Sequence, residues 1–430
     1  MKNILTVSIL IALSAFTFLS CAEDDSETPV ATCSDGIQNQ DETGIDCGGV
    51  CNSCDENATL EGVLTENKTL TNDKIWKLKG RVVVEDGVEL TIESGTIIKA
   101  HPGTGSEAST LIIARGAKLF AQGTADAPII MTAMSDNIEL GASQGTNLSE
   151  NDRGLWGGLL ILGKAPGSFD GDVTEVQIEG IPATDTNGLY GGTDATDNSG
   201  IITYVSIRHG GAEIGEGNEI NGLTLGAVGN GTEINHIEVV ANVDDGIEFF
   251  GGTVNADNLL VWACGDDGLD IDQAYKGTIN DSMVILGDAS DHGLEVDGPE
   301  GSAIGSFTLS NITLIGNSVT SNGEYADFRS HAMGHVHNIY AKSFKADSDI
   351  ELDNDGVATN YNNGDLVFGT WQIVLPAGVT DVTSLFVNKA ETVTVTDFGS
   401  TAVAVTEGME TVGANIAEFA WTYAHANAAY

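Results

Sequence analysis

Apolar and polar residues alternate with a period of two along most of this chain, the mark of strands with one face buried. The clearest run lies between residues 235 and 341. There Asn235–Val239, Asp257–Val261, Asp281–Ile285, Ser310–Leu314 and His337–Ala341 align. One column reads His236, Asn258, Ser282, Asn311, Asn338, and the next Ile237, Leu259, Met283, Ile312, Ile339. A third reads Val239, Val261, Ile285, Leu314, Ala341. The steps are 22, 24, 29 and 27 residues, one coil each, with extra length in loops. Polar residues at a fixed corner can stack and bond along the axis, as Asn ladders do.

A second strand set follows each of the first by about ten residues. It comprises Gly246–Phe250, Gly268–Asp272, Gly293–Asp297, Asp327–His331 and Asp349–Asp353. Ile247, Leu269, Leu294, Phe328 and Ile350 form one inward column, and Phe249, Ile271, Val296, Ser330 and Leu352 another. Short strand runs at Val88–Ile92, Thr110–Ala114 and Leu159–Leu162 fit the same plan less regularly. No stretch carries an amphipathic helix pattern of more than two turns. The pattern predicts an all-β chain, a parallel β-helix of roughly a dozen coils from about 57 to 365. Stacked at about 4.8 Å per coil they make a rod of about 60 Å. Residues 366–430 depart from the repeat and read as a β-rich C-terminal cap.

The first residues change the picture of location. Lys2 precedes an apolar run from Ile4 to Leu19, too short to span a bilayer comfortably, so 1–20 reads as a signal peptide. Cys21 after Ser20 reads as a lipidation site, with a loose lipobox at Phe18. Residues 21–32 then form an acidic tether opening on Ala22-Glu23-Asp24-Asp25. Acidic residues just after the cysteine resemble the surface-export signal of Bacteroidetes-type lipoproteins, which implies a lipid-anchored protein on the surface of a bacterial outer membrane.

Cys33, Cys47, Cys51 and Cys54 fall within the module 33–56. An exported chain favours two disulfides over zinc, with three pairings open. Asp35, Asp41 and Asp46 lie in the same short loop and can offer oxygen ligands to calcium. Cys264 stands alone in an apolar strand and reads as core.

The chain holds 17 Lys and Arg against 63 Asp and Glu, a formal net charge of −46 over 430 residues. That excludes nucleic acid, whose phosphates need a positive footprint. It also makes calcium the natural counterion outside a cell.

Gly154–Gly158, Arg208–Gly211, Asp244–Gly252, Asp266–Asp272 and Leu294–Gly301 carry a resemblance. On these stretches, residues 57 to 430 look like the pectin-lyase-like right-handed parallel β-helix superfamily, and are similar to a group of Bacteroidetes surface lipoproteins. Residues 33–49 resemble a cysteine-rich module of secreted bacterial proteins. The superfamily implies polysaccharide lyases and hydrolases, but also adhesins and binding proteins, so the fold alone carries little functional weight.

The outward positions of the second strand set carry the candidate chemistry. One column reads Glu248, Asp270, Glu295, Arg329, Glu351, and the next Phe250, Asp272, Asp297, His331, Asp353. Like charges about 5 Å apart repel by about 0.8 kcal/mol even in water, so stacked acids need relief from cations, protons or basic neighbours. Calcium at Asp270, Asp272, Glu295 and Asp297 is one expectation. Arg329 or His331 as the base of a lyase, or two of the acids as a hydrolase pair, is the enzymatic one. Trp156, Arg208, His209, Asp245, Asp267 and His292 are further candidate ligand contacts. The expected function is a calcium-stabilised surface lipoprotein that binds a glycan or assists an outer-membrane transporter. The alternatives are a polysaccharide lyase or glycoside hydrolase, and a structural or adhesive rod.

Overall fold

The computed structural model describes residues 38–430 apart from 40, 44–46, 52–57, 215–219 and 320–322. The chain divides into two units, 1–57 and 58–430. The signal, tether and lipidation readings at 1–32, and Cys33, Asp35, Asp46 and Cys54, lie outside the described residues. Within the first unit Cys47 is buried and Asp41 is exposed.

Among its described residues the second unit is a parallel β-helix, one sheet of 25 strands whose ladders wind along three faces. The first face stacks Thr110–Ile113, Leu159–Leu162, Leu223–Gly226, Ile247–Phe250, Leu269–Asp272, His292–Val296, Glu324–Phe328, Ile350–Leu352 and Phe386–Asn388. The other two faces share long strands such as Glu233–Val240, Asn255–Trp262, Thr278–Ile285, Phe307–Ile315 and Gly334–Lys342. Each of these turns a corner at one residue of positive φ: His236, Asn258, Asp281, Asn311 and Asn338, with Tyr204 before them. Asn and Asp tolerate that left-handed conformation better than other non-glycine residues. Asn338 Nδ2 donates to Asn311 Oδ1 at 3.1 Å and Asn311 Nδ2 to Asn280 Oδ1 at 2.9 Å, so amides do bond along the corner.

Two registers differ from the sequence expectation. Asp281, not Ser282, takes the corner, and Met283 pairs with Leu260 rather than Leu259. Ser282 is fully buried instead, and its Oγ accepts from Leu259 N. In the first-face ladder Ala326, not Phe328, follows Leu294, and Phe328 pairs with Val296 and Leu352. The inward columns are therefore Ile247, Leu269, Leu294, Ala326, Ile350 and Phe249, Ile271, Val296, Phe328, Leu352, every member buried to 1% exposure or less. Burying each large member contributes about 1.5–3 kcal/mol.

The glycines before these strands are a packing requirement. A Cβ at Gly246 would meet Val261 Cγ1 at 2.3 Å, and one at Gly268 would meet Val284 Cγ1 at 2.4 Å. Only glycine lets the first face fold this tightly onto the third.

Strands continue past residue 365 at Leu366–Phe368, Trp371–Ile373, Phe386–Asn388 and Ala402–Ala404, each parallel to the coil before it. A nine-residue helix, Asp355–Asn363, precedes them. Asn354 caps its first turn and Gly364 closes it at φ 80°. Only Val357 and Ala358 are buried on it, too few to write an amphipathic pattern. The last residues lie back along the third face. There Glu238 accepts from Tyr423 N at 3.1 Å and Ala424 N at 2.8 Å.

Candidate functional site

Successive strands of the first face point alternate side chains outward, and the glycine turns bring a further acidic column alongside. The first outward column reads Glu248, Asp270, Glu295, Asp327, Glu351. Asp327 holds the place expected for Arg329. Arg329 N bonds to Val296 O and Asp353 N to Phe328 O, so Arg329 stands between Asp297 and Asp353 in the second column. His331 is displaced from the ladder altogether. It lies exposed in the following turn, where its carbonyl accepts from Asn360 Nδ2 at 2.8 Å.

A chain segment between Leu162 and Gly200 covers the face. Its hairpin pairs Val176–Gln177 with Leu189–Tyr190. Tyr190 packs edge-on against Phe169 and tilted against Phe250, and its hydroxyl donates to Gln273 Oε1 at 2.9 Å. Gln273 Nε2 in turn donates to Glu300 Oε1 at 3.3 Å. The result is a cleft of about 380 Å³ with the acidic ladder as its floor and Gln177, Glu179 and Tyr190 as one wall. Asp270, Asp272, Glu295, Asp297 and Arg329 all line it. This wall ends at residues 193–200. Its hairpin strands are two residues each, too short for any periodic signal, so Gln177, Glu179, Tyr190, Gln273 and Glu300 were not legible as site residues.

The acids differ in what relieves their charge. Arg329 pairs with Glu295, and its Nε reaches Asp297 Oδ2 at 2.8 Å. Lys389 pairs with Glu351. His292 Nδ1 lies 2.8 Å from Asp267 Oδ1 and 3.6 Å from Glu295 Oε2. Asp245, Glu248 and Asp270 offer oxygens all within 4.8 Å of one another. Asp245 accepts from Asp267 N at 2.9 Å, and Glu248 accepts from Asn221 Nδ2. Asp270 Oδ1 is buried without a partner.

These environments move the titrations. Burial, then neighbouring carboxylates, holds Asp245, Glu248 and Asp270 well above the usual range. Burial lifts Asp272 to about 7, against the Gln273 backbone N–H that opposes it. Burial also lifts Asp327 to about 6. For His292 burial pulls down, but the bond to Asp267 and the carboxylates of Asp291 and Asp327 outweigh it and raise the imidazole to about 9.

Three candidates stand elsewhere. Trp156 is 1% exposed, and its Nε1 donates to Arg208 O at 2.7 Å. Arg208 is buried on the third face, with Nε on Ser206 Oγ at 2.7 Å, Nη1 on Ser143 O and the guanidinium over the Tyr423 ring. His209 is buried beside it against Asp152 O. The structure places none of the three in the cleft.

Residues 62–425 match the model of the pectate-lyase-like beta helix domain. The chain belongs to that family. No curated protein matches it. Among solved structures it is similar to a Yersinia enterocolitica family 28 exopolygalacturonase. The identity is 12% over 76% of this chain and 74% of that one, at a TM-score of 0.18. So slight a likeness carries no argument about the site, whose reading rests on its own residues.

Proposed function

We propose that this β-helix protein is a lipid-anchored bacterial surface protein that binds an extracellular glycan in the cleft, with calcium as a stabilising ion. The observation that carries the reading is the walled acidic floor. Of the residues lining the cleft, only Arg329 is basic, and Glu295 and Asp297 already take it. What remains is mostly acceptors, so a ligand must bring donors: hydroxyls or amines. A polyuronate would meet like charge along the acidic floor. The Cys21 anchor, a disulfide-stapled module at Cys33, Cys47, Cys51 and Cys54, and a transporter as partner belong to the same proposal.

The test is a panel of neutral, amino-bearing and uronate oligosaccharides against the full mature chain, read by calorimetry. Neutral or amino-bearing sugars should bind, and Asp272→Asn should weaken them. Preferential binding of uronates, or of nothing on the panel, overturns the reading.

One observation favours a second reading, a glycoside hydrolase. Asp272 near 7 sits where a general acid works at neutral pH. Reducing-end release that disappears in Asp272→Asn would establish it. A lyase base at Arg329 lacks that support, because two carboxylates hold the guanidinium.

A further inference from the structure

A second cavity lies on the third face, under the C-terminal residues. Its floor is the outward side of the long strands. Met283, Thr313, Tyr340 and Gln372 stand in register in one column, and Ile315 and Lys342 in the next. Outward positions of a parallel coil face water unless something covers them. Here Met283 is 1% exposed and Ile315 and Tyr340 are buried too. The cover is the segment 407–416 together with Tyr430.

The segment is fastened along its length. Lys342 Nζ pairs with Glu407 at 2.8 Å, and Gln372 exchanges two hydrogen bonds with Thr411. Gly413 N donates to Asn338 O at 3.1 Å and Ala414 N to Thr313 Oγ1 at 2.9 Å. Between this strap and the floor remains a cavity of about 200 Å³. Met283, Ile315, Ile416 and the ring of Tyr430 make most of its lining apolar.

Two buried polar atoms in that lining have no hydrogen-bond partner. One is the hydroxyl of Tyr340, a residue 3% exposed, and the other is Glu410 Oε2. Leaving such groups unpaired is costly. The other polar side chains nearby are engaged. Tyr430 donates to Phe419 O at 3.1 Å, Thr313 accepts from Ala414 N, and Lys342 and Glu407 hold each other. Burial, then the carboxylates of Glu410 and Glu407, raises the Tyr340 phenol to about 12, so it keeps its proton as a donor.

We propose that this cavity binds a small aromatic ring carrying one hydroxyl, a ligand of the phenol class, with that hydroxyl between Tyr340 and Glu410. A hydroxyl both accepts and donates. It can take the Tyr340 proton and give its own to Glu410 Oε2, which satisfies both orphans at once. An ammonium has no lone pair for Tyr340, and a carboxylate would meet Glu407 and Glu410. A sugar would press several hydroxyls against Met283, Ile315 and Ile416, which offer them no partner. The volume falls below the roughly 300–1,000 Å³ of sites for drug-sized ligands, so it suits a single ring. Tyr340 and Tyr430 present aromatic faces to it. Ile416, 49% exposed, puts an apolar side chain at the mouth. The site stands on a different face from the acidic cleft and does not rest on the glycan reading.

The experiment titrates the full mature chain with phenol by calorimetry, with toluene and glucose as the comparison ligands. Wild type is expected to bind phenol, to bind toluene at least tenfold more weakly, and not to bind glucose at this site. Tyr340→Phe should weaken phenol at least tenfold while leaving toluene binding and the melting temperature as in wild type. A merely structural hydroxyl would not divide the two ligands in that way. Glu410→Ala should weaken phenol likewise, and serves if the first variant does not fold. The proposal is overturned if wild type binds no phenol, if toluene binds as tightly as phenol, or if both variants bind phenol as wild type does. Glucose binding that is lost in Tyr340→Phe would overturn it as well, in favour of a sugar site.

Discussion

Glu238 on the third face and Asp270 on the first are both buried acids on parallel strands of one β-helix, but their surroundings are opposite. Glu238 accepts from Ser206 Oγ at 2.5 Å and from two backbone amides, and Arg208 lies 3.9 Å away. Every part of that carboxylate has a partner, and the partners fasten the C-terminal residues to the coil. Asp270 has Glu248 and Asp245 for neighbours and an oxygen with no partner. The difference separates two uses of a buried charge. A carboxylate kept for stability is surrounded by donors from its own chain. A carboxylate left among other carboxylates, as Asp270 is, has no such donors from its own chain on its Oδ1.

The largest effect is expected from Glu238→Ala. It strands the buried Arg208 guanidinium and removes the acceptor of Tyr423 N and Ala424 N. Breaking a buried pair from one side costs about 3–5 kcal/mol. Denaturant melts should show that loss, with the C-terminal residues becoming protease-sensitive first. A variant that melts within 1 kcal/mol of wild type, on the order of surface substitutions, would mean that Glu238 does not fasten this segment.

Arg329→Ala makes a paired rung resemble the unpaired one. Arg329 is partly exposed, so the expected loss is smaller, about 1–2 kcal/mol. The more telling readout is calcium. With Glu295 and Asp297 released, the variant should bind calcium at an additional, weaker site and recover part of its stability when loaded. No new binding would show that the guanidinium is not standing in for a metal.

The alternation, the coil and the acidic face were legible in the sequence because period two survives small errors of alignment. The particular ladder was less so, for reasons the two slips make clear. A slip of two residues at Ala326 and Phe328 leaves inside inside and outside outside, so no hydrophobic pattern can detect it. It nonetheless moved Arg329 by one column and hid Asp327. The slip of one at Asp281 and Ser282 arose because the corner is set by a left-handed backbone. Tyr, His, Asn and Asp all adopt it here, and they share no pattern of polarity. Asp270, Asp272, Glu295 and Asp297 were named correctly as neighbours of one face. Their partners were not, because pairing depends on which rung carries Arg329 and Lys389.

The pH dependence of stability separates the rungs in a third way. His292, Asp327 and Glu324 titrate at about 9, 6 and 7 in the folded chain, all above their unfolded values. Burial raises the two carboxyls first. The folded state therefore holds these protons more tightly than the unfolded one. For the carboxyls that stability is full below about pH 4 and is lost as pH rises through 6 to 7. For His292 it is full below about pH 6.5 and is lost as pH rises through 9. The melting temperature of the chelated chain should thus fall by a few degrees between pH 5 and 9. A rise across that window would contradict the crowding of acids on this face.

The smallest effect on stability is expected where the functional effect is greatest. Asp270→Asn is nearly isosteric and removes one negative charge from a cluster that has no cation of its own. Without calcium the variant should match wild type within about 1 kcal/mol, or exceed it, since like-charge repulsion among buried carboxylates is relieved. With calcium the order should reverse, because only wild type gains the ion's binding energy. A crossing of the two melting curves with calcium concentration is the outcome that distinguishes a site from a structural pair. Glu238→Gln, equally isosteric, should show no crossing: it loses its ionic partner at every calcium concentration. If both acids behave alike, the contrast between the two faces is one of geometry only, and the open oxygen of Asp270 has no ligand to meet.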